Sequence, residues 1–118
     1  MIEVKDLKKS FDTVEVLKGI STTMETGKVN LIIGQSGSGK TVFLKSLLNV
    51  YQPTSGEILF DGRDINKMSR DEKQILRSEI GTVFQGSALF DSMTVEENIA
   101  FPLDMFTNLT FREKKRRV

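Results

Sequence analysis

Gly34-Gln35-Ser36-Gly37-Ser38-Gly39-Lys40-Thr41 is the stretch on which the reading of this 118-residue chain turns. Its spacing, G-x-x-x-x-G-K-[ST], is that of a phosphate-binding loop. Before it, Val29-Asn30-Leu31-Ile32-Ile33 is a short apolar, β-branched run that reads as a buried strand. After it, Val42-Phe43-Leu44-Lys45-Ser46-Leu47-Leu48 has helical apolar spacing. A strand feeding a glycine-rich turn that opens a helix is the context this motif requires. Gly34, Gly37 and Gly39 let the backbone curl around phosphate oxygens where a Cβ would collide. Successive N–H groups, Gln35 and Ser36 included, then point inward, and the helix N-terminus adds partial positive charge. Lys40 is placed to reach the β- and γ-phosphates, and the Thr41 hydroxyl to ligate Mg²⁺. The competing reading is a glycine turn capping an ordinary helix. With strand, loop, Lys-Thr and helix all in register, the expectation is a nucleoside-phosphate site.

Composition narrows the rest. The length fits one domain or part of one. Lys plus Arg number 17 against 16 Asp plus Glu, a net charge of +1, which gives no case for a nucleic-acid-binding surface. Without cysteine there is neither a disulfide framework nor a thiolate metal site, in keeping with a cytoplasmic protein. No apolar stretch approaches the roughly 18 residues of a membrane span. Met1-Ile2-Glu3-Val4-Lys5-Asp6 carries charges where a signal peptide would have its apolar region. Any membrane link is therefore expected through a partner. Histidine, the commonest general base, is absent.

Residues 2–7, Thr13–Leu17 and Ile20–Met24 read as strands, the last two separated by Gly19. Three short strands before any helix point to a small antiparallel sheet ahead of an α/β core. Pro53 and Gly56 stop the first helix, and Glu57–Phe60 is a strand closed by Asp61-Gly62. Ser69 and Glu72 have capping-box spacing and open a second helix. Ile80–Phe84 reads as a buried strand ending at Gln85, and Val95–Ala100 as a short helix before Pro102. Thr110 and Glu113 again have capping-box spacing, so a further helix starts at Phe111 and has barely two turns before Val118, which reads as a cut through a larger domain. The basic run Arg112–Arg117 reads as a solvated helix face rather than an interaction tail.

The loop alone does not separate kinases, GTPases, helicases and transport ATPases. Its surroundings do. Leu17-Lys18-Gly19-Ile20-Ser21, the loop, Pro53-Thr54-Ser55-Gly56-Glu57-Ile58, Phe60-Asp61-Gly62 and Val83-Phe84-Gln85 follow in order. With them, residues 1–118 resemble the N-terminal half of an ABC transporter nucleotide-binding domain. The resemblance implies an α/β fold, a P-loop NTPase core with an N-terminal antiparallel β subdomain and the C-terminal half missing. It divides the chain into that β subdomain (1–28), a portion of the phosphate-loop core (29–85), and the Q-loop with the start of a helical subdomain (86–118). Phe11 matches the A-loop aromatic that stacks on adenine, where Tyr is more usual, and Val16 flanks the same ring. Gln85 matches the Q-loop glutamine, which contacts Mg²⁺ or the attacking water and links the site to the permease. Gly34 to Val42 would hold ATP, and Thr41 and Gln85 the Mg²⁺. Gly86–Leu103 looks most like the branch serving MCE-type lipid transporters, with Phe90 and Met93 as candidate apolar contacts in the groove that receives the permease.

The resemblance further implies ATP or ADP as ligand, a transmembrane permease subunit, and a second nucleotide-binding domain meeting the first head to tail in a homodimer. It places the protein on the cytoplasmic, inner face of the cell membrane. No LSGGQ signature, Walker B run or switch histidine occurs in residues 1–118. Ile58-Leu59-Phe60-Asp61 and Ala88-Leu89-Phe90-Asp91 imitate a Walker B run but are followed by Gly and Ser. The expectation is weak Mg-ATP binding with little hydrolysis by this stretch alone. In the family, strands flanking the loop strand come from later sequence, so the isolated chain is expected to self-associate, swap elements or survive only as a partial structure. A non-catalytic nucleotide-binding module and a small kinase stay open as alternatives. A GTPase does not, because Asn66-Lys67 is followed by Met68-Ser69 rather than the x-Asp of a guanine motif.

Overall fold

The computed structural model describes residues 1–86 and 88–118. It divides into two compact units, Met1–Gly81 and Thr82–Val118. The first unit is a sheet with two helices. Strands β1 (Ile2–Phe11), β2 (Val14–Met24), β3 (Ser55–Phe60) and β4 (Arg63–Asp64) lie in the order β2-β1-β3-β4, and every pairing is antiparallel. Helices α1 (Lys40–Leu47) and α2 (Arg70–Ser78) complete it. The antiparallel sheet is thus not confined to residues 1–28, since β3 runs beside β1 with Val4 opposite Ile58.

Regular alternation would put Val4 and Leu7 on opposite faces. Both are nevertheless buried in one core. An extra residue resolves the conflict: the register with β2 slips between Val4 and Leu7, and Asp6 takes a φ of 45°. The Asp6 N–H leaves the ladder and donates to Ser21 Oγ at 2.9 Å. Across from it, Gly19 adopts φ 97° inside β2. The two strands expected on either side of Gly19 are therefore one, because the glycine absorbs a bulge instead of ending the pairing.

Leu7, Leu17, Ile58 and Phe60 from the sheet meet Phe43 and Leu47 of α1 and Leu76 of α2 in this core. Each such side chain contributes about 1.5–3 kcal/mol when fully removed from water. Ser46, the one buried polar residue among those described, donates to the Val42 carbonyl at 2.8 Å and leaves no orphan in the apolar layer.

Two expected strands do not form. Val29–Ile33 has no ladder partner among the described residues, and Val29, Leu31 and Ile33 are 99%, 83% and 82% exposed. Ile80–Phe84 is likewise unpaired, with Val83 97% exposed. Their apolar, β-branched composition is right, but a strand exists only where a neighbour accepts its hydrogen bonds.

The second unit contains α3 (Val95–Phe106) and α4 (Phe111–Arg117). The helix expected to end at Ala100 continues through Pro102 to Phe106. Pro102 removes one helical donor, and the later turns form regardless. Capping boxes start α2, α3 and α4: Ser69, Thr94 and Thr110 each pair reciprocally with Glu72, Glu97 and Glu113. Backbone and side-chain hydrogen bonds from these caps hold each glutamate below the ordinary value of 4.5.

Leu7→Ala should lower stability by about 2–5 kcal/mol in urea denaturation. Ile75→Ala, at an exposed position, should change it by no more than about 0.5 kcal/mol. The glutamate shifts set a pH dependence. A carboxyl lowered on folding stabilises above its unfolded pKa, and that contribution disappears as pH falls through the folded value. Carboxylate NMR should show Glu72, Glu97 and Glu113 titrating below 4.5, with helicity declining in step. Midpoints at or above the unfolded value would refute the capping geometry.

Candidate functional site

Residues 34–41 form a turn that runs directly into α1. Ser38 N–H closes it on the Gln35 carbonyl at 3.2 Å, with Ser36 and Gly37 at the tip. Gly37 and Gly39 have φ of 79° and 94°, a region L side chains rarely occupy. Gly39 is also closely packed: a Cβ there would stand 3.2 Å from Leu17 Cδ2 and 3.3 Å from Val16 Cγ1, so those side chains would have to give by a few tenths of an ångström. The loop thus lies directly on β2, and Val16 is brought against it.

Gly39 is the N-cap of α1, and no side chain caps it. The first helical bond runs from Phe43 N–H to the Gly39 carbonyl at 2.8 Å. The amides of Lys40, Thr41 and Val42 precede that bond and are the donors a helix start leaves free. Lys40 Nζ donates to the Gly34 and Gln35 carbonyls, both at 2.6 Å, so the ammonium bridges the mouth of the turn. Thr41 is exposed, while Val42 is half-buried and packs on the core. Glycine backbone, free amides and one ammonium converge here, which makes the loop an anion cradle.

Two open clefts flank the loop. One, about 690 Å³, is bounded by Leu17, Ile20 and Phe43, the 29–33 segment, Gly34 and Lys40. The other, about 450 Å³, joins Val16 and Leu17 to Gly37 and Ser38. Phe11 lines neither. It ends β1, and its ring meets Tyr51 edge to face at 5.2 Å, with the Lys9 ammonium 4.8 Å from its centroid. Nothing in the local sequence marks Tyr51 as Phe11's neighbour, because only the folded turn after α1 brings it there. Gln85 belongs to the second unit. The Gly86–Leu103 stretch includes Ser87, which lies outside the described residues.

Among the described residues no group of three or more carboxylate, histidine or cysteine side chains could hold a metal ion. No described helix is long and apolar enough to cross a membrane.

These features define a phosphate-loop nucleotide-binding fold. A family profile described as ABC transporter matches residues 17–118, and the chain belongs to that family. It is similar to the "probable ribonucleotide transport ATP-binding protein mkl" of Mycobacterium leprae, 44% identical over 102 residues, which are 86% of this chain and 29% of that protein. It is also 44% identical over 103 residues to the methionine import ATP-binding protein MetN of Rhizobium johnstonii, covering 87% of this chain and 28% of that protein. The chain thus spans less than a third of these relatives' length. A bacterial ABC transporter cassette solved as a dimer superimposes with a TM-score of 0.86 and 30% identity, over 99% of this chain and 53% of that one.

Gly39→Ala should lower stability by about 1–2 kcal/mol from backbone strain alone, with a further loss from the Val16 and Leu17 contacts. Gly37→Ala, where a Cβ would meet nothing within 4 Å, should show the backbone part only. Equal losses in thermal unfolding would argue against the close approach of loop and β2.

Proposed function

We propose that this chain is the phosphate-binding portion of the ATP-binding subunit of an ABC transporter, and that it holds Mg-ATP on residues 34–42. The observation that carries this is the convergence of the free Lys40, Thr41 and Val42 amides with the Lys40 ammonium at one turn. The same amides, with those of Gln35 to Gly39, surround the terminal phosphates. Lys40 exchanges its two loop carbonyls for β- and γ-oxygens. Thr41 Oγ would help hold a divalent cation, which when bound would neutralise phosphate charge. Val16 flanks the nucleoside, and Phe11 stacks on adenine, a contact worth about 1–3 kcal/mol by analogy with base stacking. Phe11 need not touch the loop for this, because the base lies at the opposite end of ATP from the γ-phosphate. Gln85 is the Q-loop residue that contacts the metal or water and couples the site to the permease.

In the intact protein a second nucleotide-binding domain and a transmembrane permease complete the assembly at the cytoplasmic face of the membrane. The dimeric cassette that superimposes on this chain supports the pairing of domains. Relatives named for transport and import support coupling to a permease. The two share 44% identity with this chain and bear different substrates in their names, so identity at this level does not name the cargo. Resemblance over Gly86–Leu103 favours lipid. Residues 1–118 lack a Walker B carboxylate and a signature motif, so this stretch alone binds weakly and turns over little.

Calorimetric titration with ATP and Mg²⁺ should show saturable binding, weakened roughly 10–100-fold in Lys40→Ala, the equivalent of about 1.5–3 kcal/mol for a charge-assisted contact. Equal binding in both would remove Lys40 from the phosphate site. Steady hydrolysis by this chain, lost in Lys40→Ala, would refute the claim that it turns over little.

A further inference from the structure

Phe11 does not stand alone at the end of β1. Its ring meets Tyr51 edge to face at 5.2 Å, with 81° between the planes, a geometry aromatic pairs favour. The Lys9 ammonium lies 4.8 Å from the Phe11 centroid, and the Lys45 ammonium 5.3 Å from that of Tyr51. Tyr51 is anchored to α1, because the Lys45 carbonyl accepts from Val50 and Tyr51 N–H at 2.8 and 3.2 Å. The segment after it is tied to β1. Thr54 N–H donates to the Lys8 carbonyl at 2.8 Å, and Thr54 Oγ1 accepts from Ser10 N–H at 3.0 Å. Tyr51 thus sits between the helix that begins at Lys40 and the strand that ends at Phe11. It is half-buried, while Phe11 stays 38% exposed. The open cleft of about 450 Å³ runs from Gly37 and Ser38 to Val14, the residue paired with Phe11 across the β1–β2 ladder.

We propose that Tyr51 is a positioning residue for base recognition: its ring fixes Phe11 in the orientation that receives the base of a bound nucleotide. The proposal rests on the Mg-ATP reading above and adds a residue which that reading leaves unused. A half-exposed phenylalanine at a strand end otherwise samples several rotamers, and stacking would have to select one. Held against Tyr51, the ring is ordered beforehand, so less freedom is lost on binding. Tyr51 hangs from the last turn of α1, so the phosphate cradle and the base-stacking ring share one helix as support. The aromatic ring makes the contact, so Tyr51→Phe should keep the effect and Tyr51→Ala should lose it. Stacking tolerates any base, so the pair favours nucleotides over base-free phosphates rather than adenine over guanine.

The test titrates the chain by calorimetry with Mg-ATP and, separately, with the Mg²⁺ complex of inorganic triphosphate. Wild type is compared with Phe11→Ala, Tyr51→Ala, Tyr51→Phe and the double variant Phe11→Ala/Tyr51→Ala. ATP affinity should fall at least about fivefold in Phe11→Ala, the lower end of a base-stacking contact. It should fall at least about threefold in Tyr51→Ala and stay within about twofold of wild type in Tyr51→Phe. In the double variant it should fall no further than in Phe11→Ala, because Tyr51 acts only through that ring. Triphosphate affinity should stay within about twofold of wild type throughout. Undiminished ATP affinity in Phe11→Ala overturns the base contact and this proposal, while triphosphate binding keeps the phosphate site standing. A loss in Phe11→Ala without one in Tyr51→Ala overturns the positioning role alone. A loss in Tyr51→Ala that triphosphate shares, or that recurs in the Phe11→Ala background, assigns Tyr51 to stability and overturns the proposal as well. Tyr51→Phe as weak as Tyr51→Ala overturns it too, since the hydroxyl would then carry the effect. Wild type that binds neither ligand removes the Mg-ATP reading itself, and the proposal with it.

Discussion

The close approach of Gly39 to β2 is the constraint on which the first unit depends. A phosphate-binding turn must hold its amides in one direction, yet glycine-rich backbone has the greatest freedom to lose on folding. Here the loss is offset by anchoring the turn on both sides. Ahead of α1, Gly39 lies closely against Val16 and Leu17, at a positive φ that disfavours any side chain. Along α1, Phe43 and Leu47 bury themselves in the same core as Leu17. Burial of those three side chains, at about 1.5–3 kcal/mol each, exceeds the roughly 1–2 kcal/mol of backbone entropy at any single glycine. The sheet's hydrophobic face and the anion cradle are thus parts of one arrangement.

How legible each part was depends on the range of the interaction behind it. The loop, the start of α1 and the capping boxes at Ser69 and Thr110 are written within eight residues, and the structure has all of them; the box at Thr94 has the same spacing and emerges from the structure. The β1 bulge is not local. It exists because Val4 and Leu7 must share a face, a requirement visible only once β2 and β3 are in place. Val29–Ile33 and Ile80–Phe84 have strand composition, but pairing is a property of the neighbour, and none is present among the described residues. In the site, Lys40 and the loop glycines could be named from spacing. Tyr51 could not, since its partner Phe11 lies far along the chain.

Charge explains why composition says so little about this protein. A net charge of +1 hides a strongly structured local field. Acidic groups are spent on the starts of α2, α3 and α4, where each caps a helix and opposes its dipole. The start of α1 has no acidic residue in its first turn and no side-chain cap. The four helices among the described residues therefore share one electrostatic problem at their N-termini, and three solve it internally. The fourth leaves its donors facing outward beside a lysine, the pattern that a ligand phosphate rather than a side chain completes.

Lys40 shows how that open helix start stays ready. An ammonium free in solution would be hydrated and would sample many rotamers, and binding would have to reverse both. Here two of its three donors already lie on the Gly34 and Gln35 carbonyls. Those acceptors belong to the loop itself, so the lysine is held over the cradle without a carboxylate partner. Replacing neutral carbonyls by anionic phosphate oxygens exchanges weaker hydrogen bonds for ones about twice as strong. A salt bridge in the same place would have fixed the lysine equally well, but phosphate would then have to displace a full charge. The carbonyl pair would position Lys40 while keeping such an exchange favourable, and that asymmetry is the physical ground on which the proposed phosphate site rests.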